Sequence, residues 1–163
     1  MTAKANIGQI LAIDPGPEES AYVLLSGNGK ILGWQKIANS ELQSDLCVMW
    51  RPDIIAIEMI ASYGMAVGQE VFDTCRWVGQ FESAAERSGR PVVLVYRKDI
   101  KMHLCHSMRA KDANIRQALI DKYGKPGTKK NPGQTYGIAG DGWAALAVAD
   151  YVKGHAKEIL EGL

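Results

Sequence analysis

The sequence predicts an α/β fold, a mixed five-stranded sheet flanked by helices, folded as a single domain over residues 1–163. Three observations carry that expectation. Apolar segments joined by the tetrapeptide Ser26-Gly27-Asn28-Gly29 open the chain and read as antiparallel strands, because Gly and Asn tolerate the positive φ of a tight hairpin. The run Ile54-Ile55-Ala56-Ile57 has no polar alternation, which marks a strand covered on both faces. Two long stretches with apolar residues at helical spacing, one on each side of residue 100, supply the cover.

The elements follow in order. Residues 7–13 are short and apolar and stop at Asp14-Pro15-Gly16-Pro17, a strand ending in a turn. Ala21-Tyr22-Val23-Leu24-Leu25 is a second strand, and residues 30–37 are a third. Asn39-Ser40 offers an N-cap for a helix to about residue 50, which Arg51-Pro52-Asp53 ends. The fourth strand, 54–57, terminates in Glu58. After a loop at 61–64 a helix runs from about Met65 to Arg87, with Val67, Val71, Cys75, Val78, Phe81 and Ala85 at helical spacing. Ser88-Gly89-Arg90-Pro91 closes it, and 91–96 is the fifth strand. Residues 110–123 are helical, with Ile115, Ala118 and Leu119 on one face. Residues 124–140 hold five Gly, two Pro and three Lys and form a loop. A last helix runs from Asp141 to about residue 160. The expected order is β-β-β-α-β-α-β-α-α.

Composition narrows the class. The chain has 163 residues, 47% hydrophobic and 23% charged, which excludes a disordered chain. No apolar run approaches the ~20 residues of a membrane span, and residues 1–6 lack a signal-peptide stretch. The expected setting is the cytoplasm, with no membrane partner. Cys47, Cys75 and Cys105 are odd in number and far apart, so neither a disulfide framework nor a Cys-x-x-Cys zinc site is indicated. Net charge is +1, but residues 97–130 carry ten Lys or Arg against three Asp, an excess of +7. Such a segment fits a phosphate backbone, and equally a solvated lysine-rich surface; charge alone does not choose.

Three carboxylates stand out. Asp14 ends the first strand, Glu58 ends the fourth, and Asp141 opens the last helix after a Gly-rich loop. Each has a structural reading: a turn residue for Asp14, an N-terminal dipole partner for Asp141. Glu58 is the sharpest, because an acid closing four buried apolar residues costs free energy unless paired or metal-bound. If the first and fourth strands are adjacent and parallel, Asp14 and Glu58 lie side by side at the sheet edge that ligand sites favour. Hard oxygen ligands suit Mg²⁺ or Mn²⁺. Two such ions per active site, about 3.5–4 Å apart, serve an in-line displacement at phosphorus.

These residues resemble the RuvC-type Holliday junction resolvases of the RNase H-like superfamily, and the resemblance spans nearly the whole chain. Ile10-Leu11-Ala12-Ile13-Asp14-Pro15-Gly16 is similar to that family's first-strand motif, and Ile54-Ile55-Ala56-Ile57-Glu58 to the strand carrying its glutamate. Gly79-Gln80 matches a Gly-Gln in the following helix, and Asp141-Gly142-Trp143-Ala144-Ala145-Leu146-Ala147 resembles its Asp-x-x-Asp-Ala-Leu-Ala. The resemblance implies an RNase H-like sheet and a homodimer in which each subunit cuts one strand of a four-way junction. It assigns Asp14, Glu58 and Asp141 as metal-binding catalytic residues. It also gives the chain the look of a phage or prophage version. One departure matters: the position of the family's fourth acid is Ala144, which cannot ligate a metal. The alanine is either a natural weakening or an engineered substitution that leaves DNA bound and uncut, and the intact flanking residues favour the second.

For DNA contact the resemblance loosely places Lys101 and Lys111, and the charge pattern adds Lys98 and Arg109. Tyr63 and Met65, on the Gly-containing loop after Glu58, read either as a wedge at unstacked bases or as residues packed on the protein. Lys129 and Lys130 sit in a loop that reads as an arm ordering on phosphates or as a floppy connector. His103, Cys105 and His106 have tempting zinc spacing but no further ligand, and read better as polar residues of a surface helix. The functional expectation is a structure-selective endonuclease resolving four-way junctions. Its rivals are a junction-binding protein that does not cut, another RNase H-like nuclease acting on branched DNA or RNA–DNA hybrid, and, more weakly, a nucleotide-binding domain of the actin and sugar-kinase type.

Overall fold

The computed structural model describes residues 6–48 and 50–163; the reading of the amino terminus lies almost wholly outside them. Five strands run β1 (Gln9–Asp14), β2 (Glu19–Ser26), β3 (Ile31–Ala38), β4 (Ile54–Met59) and β5 (Val92–Tyr96). Six helices are α1 (Asn39–Val48), α2 (Gln69–Arg87), α3 (Arg97–Cys105), α4 (Asp112–Tyr123), α5 (Asp141–Gly154) and α6 (Ala156–Gly162). The sheet order is β3-β2-β1-β4-β5. β1, β2 and β3 pair antiparallel, while β4 lies parallel to both β1 and β5. The mixed five-stranded sheet expected from the sequence is therefore present.

Strand alternation divides the core in two. Ile10 and Ala12 of β1, with Ile54 and Ala56 of β4, pack with Leu146, Ala149 and Val152 of α5. Leu11, Ile13, Ile55 and Ile57 point the other way, onto Leu42 and Leu46 of α1 and Val78, Phe81 and Ala85 of α2. Each fully buried large side chain stabilises the fold by about 1.5–3 kcal/mol relative to exposure. α5 is buried nearly all round, as its apolar sequence requires of a helix lying across a sheet.

Several element expectations need correction. The long helix α2 starts at Gln69 rather than near Met65: Tyr63 and Gly64 form a turn with positive φ (49° and 79°), and Gly68 is still extended (φ −93°, ψ −178°) as the N-cap. α3 was absent from the expected order: of its nine residues only Ile100 is buried, so the segment has almost no apolar stripe to read. The last helix is two helices, interrupted where Gly154 packs against the His103 ring; a Cβ at residue 154 would lie 2.6 Å from His103 Cε1. α1 ends at Val48 and α4 begins at Asp112, two residues off expectation at one end each. The 124–140 segment is a loop, but a tied one. Gln134 accepts from Ile31 N (3.1 Å) and donates to the Gly29 carbonyl (3.2 Å), and buried Thr135 donates to the Gly124 carbonyl at 2.7 Å. These ties fall at Gly124 and at Gln134 and Thr135, with Lys129 and Lys130 between them. Among the described residues no helix is long and apolar enough to cross a membrane.

Candidate metal-binding active site

The register of the sheet assembles the site. Ile13 pairs with Ile57, so the next residues, Asp14 and Glu58, stand side by side at the carboxyl ends of β1 and β4. Both continue the Ile10, Ala12, Ile54 and Ala56 alternation, so both face α5. On the other flank Asp14 pairs with Ala21, and Ala21 with Lys36. One row across the sheet thus reads Lys36, Ala21, Asp14, Glu58. The turn after Asp14 is fixed by a buried network: Gly16 N donates to Ser20 Oγ (3.1 Å), Ser20 Oγ to Asn39 Oδ1 (2.6 Å), and Asn39 Nδ2 to the Gly16 carbonyl (2.9 Å). The Asn39 side chain, expected as a helix cap, binds this turn instead.

α5 brings in the third acid. Gly142 lies against Trp34 of β3 so closely that a Cβ would sit 2.6 Å from the ring. That contact sets Asp141, the first residue of α5, over β3, where its Oδ2 accepts from Lys36 Nζ at 2.8 Å. From the start of α3, directly after β5, comes Arg97, whose Nη1 is 3.6 Å from Glu58 Oε1 and whose other nitrogen pairs with Asp112 of α4.

Electrostatics make the acid pair unusual. Burial, then the neighbouring Glu58 and Asp141 charges, push the Asp14 carboxyl far above the usual carboxylate range. Burial also raises Glu58, against the opposing pull of Arg97. Glu58 Oε2 is buried with no hydrogen-bond partner, one of two such side-chain atoms among the described residues. A buried carboxylate oxygen without a donor is costly and calls for a proton or a cation. Two crowded hard-oxygen groups, one with an orphaned oxygen, fit Mg²⁺ or Mn²⁺.

The structure brings Asp14 and Glu58 together and holds Asp141 on Lys36 at the margin of the same site. No three His, Cys, Asp or Glu side chains among the described residues gather as one ion's ligand set. Ala144, one turn beyond Asp141 and half-buried, offers no donor. Of the basic residues, Lys101 lies one turn from Arg97 on α3, exposed Lys98 precedes it on that helix, and exposed Arg109 and Lys111 lie just before α4. Lys111 neighbours Asp112 and hence the Arg97 pair. Lys129 and Lys130 are exposed in the loop whose anchor at Ile31 is five residues along β3 from Lys36, about 15 Å at strand rise. Tyr63 is 62% and Met65 74% exposed, so packing on the protein does not describe them. The flank opposite α3 is acidic: a cleft of about 420 Å³ is lined by Glu18, Glu19, Glu70, Asp73, Asp141 and the single cation Lys36.

His103 is engaged in a different cluster, 2.8 Å from the buried Asp150, which also accepts from Lys122 and Tyr123; no zinc set forms around it. Sequence reasoning missed Lys36 and Arg97 as site residues. The signal for Arg97 was its place directly after the fifth strand, beside the end of the fourth.

No protein-family model matches the sequence, and no curated protein matches it. Solved structures do. The chain is similar to the RuvC structure of Thermus thermophilus with TM-score 0.73 and 16% identity, over 92% of this chain and 96% of that one. It is similar to T. thermophilus RuvC in complex with a Holliday junction substrate with TM-score 0.72 and 17% identity, over 92% and 95%. The yeast mitochondrial Holliday junction resolvase Ydc2 matches with TM-score 0.61 and 10% identity, over 99% and 89%. The fold is the RuvC-type, RNase H-like fold.

Proposed function

We propose that the protein is a structure-selective DNA-binding nuclease core of the Holliday junction resolvase type, whose cutting is impaired by Ala144. The observation that carries this reading is the pair Asp14 and Glu58, opposed at adjacent strand ends with Glu58 Oε2 buried and unpartnered. The RuvC-type fold and the junction bound in the T. thermophilus complex support the choice of DNA. Asp14 and Glu58 would hold Mg²⁺ or Mn²⁺, which when bound lowers the pKa of water and stabilises charge on a phosphate. Arg97 holds Glu58 through Oε1 and leaves the other oxygen without a hydrogen-bond partner. Partial burial of both carboxyls limits the water that would compete for their lone pairs. Lys98, Lys101, Arg109 and Lys111 supply phosphate contacts on the basic flank, and exposed Tyr63 and Met65 supply apolar surface to bases opened at the branch. Two symmetric cuts suit a twofold homodimer, with α2, whose Phe72 is exposed, as its contact. The same reading sets the protein in the cytoplasm of a bacterial or phage-infected cell.

Ala144 favours one second reading, a protein that binds junctions without cutting them. One experiment separates the readings: binding and cleavage of a synthetic four-way junction in Mg²⁺ and in Mn²⁺, with linear duplex and RNA–DNA hybrid as controls, for this chain and for Ala144→Asp. Junction-selective binding with cutting raised by Ala144→Asp supports the nuclease core. Binding with no cutting by either chain supports the binding protein, and equal affinity for linear duplex refutes both.

A further inference from the structure

The strongest unexplained feature is Lys36. Nothing in the acid set calls for a lysine, yet the sheet delivers one to it. Lys36 shares the cross-strand row with Asp14 and Glu58, separated only by the methyl group of Ala21. Its Nζ is 2.8 Å from Asp141 Oδ2, and its side chain is 45% exposed. Asp141 is therefore already matched with a cation that belongs to the chain. One turn on, where a carboxylate would restore ligand capacity to that side, stands Ala144.

We infer that the site takes one divalent ion per chain, on Asp14 and Glu58, and that Lys36 keeps a second ion from Asp141. The inference rests on the metal-dependent reading above. Two arguments support it. First, donors: a protein-bound Mg²⁺ or Mn²⁺ is held through carboxylates; residue 144 is alanine, and Lys36 Nζ sits at hydrogen-bond distance on Asp141, 2.8 Å, whereas Arg97 stands 3.6 Å from Glu58 and leaves its Oε2 unpartnered. Second, charge: the three acids carry three negative charges against two positive on Lys36 and Arg97, Asp112 being highly exposed and screened. One divalent ion leaves a single positive charge, which one phosphodiester neutralises. A second ion would raise that excess further, against only the carboxylates of the neighbouring open cleft, Glu18, Glu19, Glu70 and Asp73.

The test counts ions on the full chain by titration calorimetry with Mn²⁺, checked by electron paramagnetic resonance. One Mn²⁺ per chain is expected, lost in Asp14→Asn. Lys36→Met, at a side chain exposed enough to be replaced without unfolding, is expected to raise the count to two. Asp141→Asn in that background is expected to return it to one, and Lys36→Arg, which keeps the cation, to leave it at one. Two Asp14-dependent ions on the unaltered chain, or a count that stays at one in Lys36→Met, would overturn the inference and leave the metal site itself standing. No Asp14-dependent ion at all would overturn both. Thermal melts of each variant show that the counts come from folded protein.

Discussion

Replacing Asp14 by Asn is expected to make the metal-free protein more stable at neutral pH while destroying the site. Burial and the neighbouring acids push the Asp14 carboxyl up to about 8 from 3.8. The sign follows from linkage. An acid whose folded pKa is raised favours the fold below its unfolded pKa and disfavours it increasingly as pH climbs towards the folded value, after which the penalty is constant. At 1.36 kcal/mol per unit the whole shift would amount to roughly 5–6 kcal/mol. The residue is only half-buried and sits beside Glu58, which is also raised, so part of the penalty is relieved by solvent and by a proton held between the two. About 2 kcal/mol is the expected gain for Asp14→Asn above pH 8. For a chain of this size that is about 4–8 °C in Tm. The assay is thermal unfolding in EDTA from pH 4 to 8.5, wild type against Asp14→Asn. The curves should coincide near pH 4 and separate progressively with rising pH. Saturating Mg²⁺ should then raise the wild-type Tm and leave the variant unmoved. Melting curves that coincide across the whole range would refute the account of a crowded, desolvated acid pair.

Lys101→Ala and Lys111→Ala should each weaken junction binding whatever its sequence and lower the slope of log K against log salt by about one; an unchanged slope in titrations at several salt concentrations would make them solvated lysines. Ala144→Asp should raise junction cutting in Mg²⁺ or Mn²⁺ by at least tenfold at nearly unchanged junction affinity, read by gel assays of cleavage and binding on the same substrate. Asp150→Ala should destabilise the fold by about 3 kcal/mol in chemical denaturation, since it removes a fully buried carboxylate and leaves His103, Lys122 and Tyr123 without their shared partner. Those partners hold the Asp150 carboxyl down at about 2. The stability it contributes is present above its unfolded pKa near 3.8 and is lost as pH falls from there towards 2.

The acids were legible because each closes a pattern. Asp14 and Glu58 end apolar runs, and a strand that is apolar on both faces must lie inside the sheet. That much places two carboxylates at one edge from the sequence alone. Asp141 was legible as a helix start, but its partner was not. The basic excess marked α3 and α4 as a flank without marking α3 as a helix, since a helix whose only fully buried residue is Ile100 leaves no periodicity to find.

Lys36 was hidden for a different reason, and the reason bears on how the site is built. Near the site β2 and β3 pair Ala21 with Lys36 and Leu24 with Gly33, yet Leu25 pairs with Ile31. One extra residue, Leu32, bulges out of β3 between them. Counting back from the Ser26–Lys30 turn without that bulge sets Lys36 opposite Ser20, on the far face of the sheet, because a one-residue slip turns every side chain over. The same slip would take Trp34 off Gly142 and remove the contact that seats the start of α5. A single irregularity in an edge strand therefore places both the lysine on Asp141 and the ring beneath α5. Deleting Leu32 should leave the Asp14 and Glu58 pair on β1 and β4 in place while releasing Asp141 from Lys36. In metal titrations that deletion should behave as Lys36→Met does, and a count unchanged from wild type would show that the bulge does not set the Lys36–Asp141 pair.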